Sequence, residues 1–138
     1  MTIIDLARCR MVDFVVRGDE RGSLIALEGK VDLPFEVRRV YYIFDTQSDV
    51  VRGRHAHHAL NQLLVAVRGG CTIHLDDGCR RDDVRLDRPE QGLLLGTMVW
   101  REMSEFTPDC VLLVLADAPY DEGDYIRDYD RFLKLASS

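Results

Sequence analysis

Apolar and polar residues alternate over short stretches of this chain, the two-residue period of half-buried strands. The pattern predicts strands over residues 10–16 and 23–28, flanking the polar turn Arg17-Gly18-Asp19-Glu20-Arg21-Gly22. Residues 35–45 are rich in aromatic and β-branched side chains and read as a further strand. Residues 61–68 and 71–76 form a pair joined at Gly69-Gly70, a hairpin-type turn, and Asp76-Asp77-Gly78 marks another turn. Segments 83–87, 92–95, 98–104 and 110–116 complete the series. Only the tail, residues 125–135, has helical spacing. There Ile126, Tyr129, Phe132 and Leu133 fall on one face, and Asp124 stands where an N-cap would. Short strands with a turn about every 8–12 residues predict an all-β sandwich or barrel with a short C-terminal helix. No linker, repeat or low-complexity tract interrupts the pattern, so residues 1–138 read as one domain.

Composition narrows the partners. The net charge of −6 argues against nucleic acid and against an anionic membrane surface, both of which need a basic footprint. An anionic small ligand remains compatible if a few arginines gather locally. Cys9, Cys71, Cys79 and Cys110 form no CxxC pair and read as reduced thiols, with Cys71 and Cys110 in apolar runs that suit the core. The N-terminal residues carry Asp5, Arg8 and Arg10 and no apolar signal-type core, and no apolar run approaches the roughly 20 residues of a membrane span. A cytoplasmic location is the expectation.

The chemistry concentrates in Gly53-Arg54-His55-Ala56-His57-His58-Ala59-Leu60-Asn61-Gln62. In extended backbone His55 and His57 project together, with Ala56 and His58 opposite. The spacing His55-x-His57, then Gln62, then Gly69 resembles the first motif of the cupin β-barrels. Metal-binding cupins have Glu where this chain has Gln62, and a further His where it has Arg101. Two imidazoles, an amide and a cation make a poor shell for a divalent ion. The pair is therefore expected to carry protons, without metal or other cofactor, a task suited to a side chain that titrates near neutrality. On the strand through residues 38–44, Arg39, Tyr41 and Ile43 share one face, which suits a pocket lining. Val40, Tyr42 and Phe44 share the other, which reads as core. Arg52 and Arg21 are candidates to meet an anion, Trp100 to wall a pocket. The acidic and aromatic run from Tyr120 to Tyr129 reads as a helix cap with a charged face.

The runs RGSLIALE, PFEVRRVYYIFDT, RGRHAHHALNQLLVAVRGG, VWREM and YDEGDYIRDYDRF resemble the sugar 3,4-ketoisomerases, over about residues 18–133. The combination of RG-x-HAH with YDE-x-DYIR-x-Y carries the specificity; H-x-H alone would not. The resemblance implies a cupin-type jelly-roll barrel, a homodimer, and a role in the biosynthesis of unusual deoxysugars. It implies a dTDP-linked keto sugar, dTDP-4-keto-6-deoxyglucose, as the substrate. It also implies His55, His57 and Tyr41 as catalytic residues. The substrate-binding residues it implies are Arg21, Arg39, Arg52, Gln62, Trp100 and Arg101, of which Arg101 departs from the His of other members. Three alternatives stand beside it. A nucleotide-sugar 3,5-epimerase shares the barrel and the proton-abstraction logic. A non-catalytic sugar-binding cupin would bind without converting. A metal-dependent dioxygenase is disfavoured by Gln62 with Arg101.

Overall fold

The computed structural model describes residue 4 and residues 6–138. Its strands are β1 (Cys9–Asp13), β2 (Arg17–Asp19), β3 (Gly22–Leu24), β4 (Arg39–Ile43), β5 (Arg52–His57), β6 (Gln62–Arg68), β7 (Cys71–Asp76), β8 (Arg81–Leu86), β9 (Gln91–Leu95), β10 (Trp100–Ser104), β11 (Val111–Ala116) and β12 (Tyr125–Ile126). A 3₁₀ turn (Glu122–Asp124) precedes β12, and one helix, α1 (Tyr129–Ala136), closes the chain. Two five-stranded sheets face each other, in the orders β1-β9-β6-β11-β4 and β12-β5-β10-β7-β8, and β2 and β3 form a separate hairpin. Among the described residues the ladders between these strands are all antiparallel. The all-β expectation holds. The barrel is built as two facing sheets that share no ladder, rather than as one closed cylinder.

The two-residue period decides what fills the space between the sheets. Leu64, Ala66, Leu93, Leu95, Leu112 and Val114 come from one sheet, and Cys71, Ile73, Leu75, Val84, Leu86 and Met103 from the other. They form one buried cluster, against which Tyr41 and Ile43 pack. A second cluster, Leu33, Leu63, Leu94 and Leu115, covers the outer face of the first sheet. A third, Ala56, Trp100, Ile126 and Phe132, docks α1 on the outside of the second.

Three sequence expectations need correction. The helix starts at Tyr129 and is capped by Asp128, whose side chain accepts from the Asp130 N–H. Asp124 is not the cap, because its carboxylate is committed elsewhere and Tyr125–Ile126 take ladder positions against His57 and Ala56. Ile126 still joins Phe132, Tyr129 and Leu133 in one apolar cluster, but from a strand. Secondly, Val40, Tyr42 and Phe44 are not core: they are 54%, 61% and 57% exposed. A two-sheet sandwich has a single interior, Tyr41 and Ile43 take it, and β4 is an edge strand whose outer face stays exposed. Thirdly, the turn expected over residues 17–22 is itself a short hairpin that turns at Glu20-Arg21.

Candidate active site

β5 carries the histidine pair along the inner side of the second sheet. Ala56 faces outward into the α1 cluster, so its neighbours His55 and His57 face inward. Their rings meet edge to face at 4.9 Å. The strand begins with a bulge: Arg101 of β10 lies opposite His55, but Glu102 lies opposite Gly53, leaving Arg54 unpaired. Arg54 has φ 55° and Gly53 φ 87°. A Cβ on Gly53 would sit 3.1 Å from the Arg101 carbonyl oxygen, so both space and backbone angle call for glycine. The extra residue shifts the alternation by one, which brings Arg52 to the same side as His55. Without the bulge Arg52 would point out of the sheet.

Arg39, Tyr41, Arg52 and His55 all line one open cavity of about 440 Å³, with Ile43 and Met103 at its side and Tyr120, Tyr125 and Arg127 from the C-terminal segment. The Arg39 guanidinium lies 5.4 Å from the Tyr41 ring and 5.7 Å from the Tyr120 ring, and Arg127 stacks over Tyr125 at 4.2 Å. Both oxygens of Glu122 hold Arg127, at 2.7 and 2.9 Å. His57 lies behind Tyr125, ring centroids 4.4 Å apart, and borders a narrower recess that shares Arg39 and Tyr125 with the cavity.

The hydrogen bonds fix the tautomers. His55 Nδ1 lies 3.0 Å from the Gly53 carbonyl oxygen, which only accepts, so Nδ1 carries the proton and Nε2 keeps its lone pair. His57 Nδ1 lies 3.0 Å from Asp124 Oδ2, which sets the same tautomer, while Asp124 Oδ1 accepts from the Ala59 N–H at 2.8 Å. Burial and then the Arg101 guanidinium push the His55 imidazolium pKa down to about 4. The same causes, with His55 added, push His57 down to about 2. Both rings are therefore neutral at physiological pH. His57 Nε2 and Arg39 Nε are buried without a partner among the described residues, although buried polar atoms are as a rule hydrogen-bonded.

Gln62 and Arg101 lie beneath the cavity rather than on its wall, each 1% exposed. Arg101 reaches across from the second sheet and donates to Gln62 Oε1 at 2.5 Å and to the Val99 carbonyl oxygen at 3.3 and 3.2 Å. Gln62 Nε2 donates to the Tyr41 hydroxyl oxygen at 3.0 Å. The sequence expectation put both on the substrate; neither lines the cavity or the recess beside His57. Burial lowers the Arg101 pKa to about 10, so it stays charged. Among the described residues no group of His, Cys, Asp and Glu side chains is placed to hold a metal ion.

Two expected site residues are elsewhere. Trp100 precedes Arg101 on β10 and so faces the opposite way. It packs on Tyr129 and Phe132 and donates its indole N–H to Glu102. Arg21 sits at the tip of the β2–β3 hairpin, where its guanidinium grips Asp19 at 2.5 Å, and it lines no wall of the histidine cavity. Asp124, Tyr125, Tyr120 and Arg127 are the residues that the sequence reading missed. The run Tyr120–Tyr129 was the available signal, but its partner lies 67 positions away.

Comparisons with known proteins place the chain in a family. The family model described as FdtA, WxcM-like, C-terminal, matches residues 7–137. The chain is similar to the TDP-4-oxo-6-deoxy-alpha-D-glucose-3,4-oxoisomerase of Aneurinibacillus thermoaerophilus, at 49% identity over 91% of this chain and 90% of that one. Among solved structures, it is similar to a 3,4-ketoisomerase from Helicobacter canadensis, with TM-score 0.92 and 46% identity over 94% of this chain and 98% of that one. It is also similar to a histidine-to-asparagine mutant of the 3,4-ketoisomerase QdtA from Thermoanaerobacterium thermosaccharolyticum, solved in complex with TDP-4-keto-6-deoxyglucose. There the TM-score is 0.94 and the identity 42%, over 96% of each chain.

Proposed function

The chain belongs to the FdtA, WxcM-like family, its relatives named above are a 3,4-oxoisomerase and two 3,4-ketoisomerases, and from that premise we propose how its residues work. The enzyme moves the ketone of TDP-4-keto-6-deoxyglucose from C4 to C3 by proton transfer. The observation that carries the mechanism is His55: its Nδ1–H is spent on the Gly53 carbonyl, and a neutral ring lines the cavity beside Tyr41 and Arg39. The C4 ketone acidifies the C3 hydrogen, and His55 Nε2 takes that proton, giving an enediol-like intermediate. His55 returns a proton to C4. One oxygen-bound proton passes from the C3 hydroxyl to the C4 oxygen, and Tyr41 and His57 are the groups for that exchange. The oxidation moves within the substrate, so no redox cofactor enters.

Arg39, Arg52 and Arg127 place forked cationic donors round the cavity, suited to the diphosphate. A protein of net charge −6 thus meets an anion through local arginines. The test is NMR of the product after incubation with TDP-4-keto-6-deoxyglucose. A C3 ketone supports the reading. A C4 ketone with inverted C3 or C5 indicates an epimerase, and unchanged substrate a binding protein.

The working form is a cytoplasmic homodimer. The exposed outer row Val40, Tyr42 and Phe44 on edge strand β4 supports this, as do Val15, Val16 and Leu24 exposed on and beside the β2–β3 hairpin. Apolar rows of this kind mark interaction surfaces, and a projecting hairpin gives Arg21 a way to reach a second copy. Sedimentation equilibrium should give a mass twice that of the 15.8 kDa chain, and Tyr42→Glu should halve it. A wild-type monomer would contradict the dimer.

A further inference from the structure

We propose that Arg101 and Gln62 are positioning residues that fix the direction of the Tyr41 hydroxyl and make Tyr41 the proton donor to the substrate's C4 oxygen. This deepens the ketoisomerase reading and rests on it.

Arg101 is a charge in the apolar core. Arg101 is 1% exposed, and among the described residues no carboxylate comes within ion-pair distance of it. A buried guanidinium without an ionic partner is costly, and an apolar side chain of similar volume would serve stability better. What Arg101 has instead is two carbonyl partners, Val99 in its own strand and the Gln62 amide from the facing sheet. A guanidinium has donors only. Gln62 must therefore turn its oxygen to Arg101, and its amide nitrogen is forced toward Tyr41, 3.0 Å away. The amide has no alternative flip, because reversing it would set N–H against N–H. Ala116, opposite both Gln62 and Arg39 in the ladders, has no side chain long enough to block the reach.

The consequence falls on Tyr41. Its oxygen accepts from Gln62, so its own O–H points away from Gln62, and the ring lines the cavity that holds His55. Burial keeps the phenol protonated, while Arg101 and Gln62 act against that effect and favour the oxygen as its proton leaves. The exchange then has a direction. Tyr41 gives its proton to the C4 oxygen as His55 removes the C3 hydrogen. The C3 hydroxyl proton, released as the new ketone forms, passes to His57 Nε2, an acceptor, and returns to Tyr41. No proton is gained or lost.

The decisive variant is Gln62→Glu. A carboxylate still accepts from Arg101 but cannot donate to Tyr41, whose hydroxyl would turn to donate to it and leave the cavity. The expected result is a fall in kcat of about 10²-fold, the lower end for a lost acid–base group, with KM changed less than about threefold and the melting curve retained. In the Tyr41→Phe background the same change should lower kcat less than about twofold, since the relay has nothing left to orient. A Tyr41→Phe difference titration in the ultraviolet should show the phenol titrating at higher pH in Gln62→Glu than in the wild type. If Gln62→Glu does not fold, Gln62→Met in both backgrounds gives the same cycle. Wild-type kcat in the Gln62 variants, or an equal loss with and without Tyr41, would overturn the relay. Isomerisation by the wild type would still stand in that case, whereas absence of a C3-keto product from the wild type would remove the underlying reading instead.

Discussion

Replacing His55 by asparagine should lower kcat by about 10²–10⁴-fold, the range for a lost general base, while the fold survives. Asparagine can reuse the bond to the Gly53 carbonyl, since its amide N–H replaces Nδ1–H. What disappears is the Nε2 lone pair at the cavity wall. That lone pair acts only as the C3 hydrogen leaves, so kcat and kcat/KM should fall together and KM should barely move. The pH profile carries a second signature. Burial and Arg101 hold the His55 pKa at about 4, below its ordinary 6.5. The base therefore stays neutral as pH falls through 6.5, and the acid limb of kcat/KM should lie near 4 rather than near 6.5. Steady-state kinetics across pH, with thermal melting as the control, checks both parts. An acid limb at 6.5 would mean that the imidazole is solvated during turnover.

Asp124→Asn should be nearly as damaging, with a fall in kcat of at least about 10²-fold, by the logic that a wrong histidine tautomer disables an acid–base site. Asp124 accepts twice, from the Ala59 N–H and from His57 Nδ1–H. In the asparagine the carbonyl oxygen stays on the Ala59 N–H, because only it can accept. The amide NH₂ then faces His57, which must present a bare Nδ1 and move its proton to Nε2. The buried acceptor that the mechanism uses becomes a donor. Kinetics give the loss, and ¹⁵N shifts of His57 report the tautomer directly. Unchanged turnover with a switched tautomer would show that His57 takes no proton from the substrate.

The alternation of apolar residues was enough to read an all-β chain and the inward pairing of His55 with His57, since both depend on neighbours in sequence. Tyr41 and Arg39 were legible for the same reason: they share a strand face. Arg52 reached the cavity by a route that alternation does not contain, the bulge at Arg54, which is visible only once β10 is paired with β5. Asp124 was misread because Asp before a helical stretch is an ordinary cap, and its real partner comes from β5, far off in sequence. Trp100 and Arg101 illustrate the limit from the other side. Adjacent residues of one strand cannot both face the cavity, and the core claimed Arg101. The outer row of β4 read as core because apolar content says that a surface is covered, not by which chain. Gln62 and Arg101 were singled out as misfits for a metal site; the fact that they bond each other and then Tyr41 needed the two sheets in place.

In the proposed mechanism His55 takes the C3 proton and, after exchange with solvent at the open cavity, gives one to C4. Incubation of the wild type and of His55→Asn with TDP-4-keto-6-deoxyglucose in deuterated water, followed by NMR, tests this most directly. The wild type should give a C3-keto sugar carrying deuterium at C4, and His55→Asn should return the substrate with its C3 hydrogen intact. Deuterium at C3 or C5 with the C4 ketone retained, or isomerisation by His55→Asn at the wild-type rate, would contradict it.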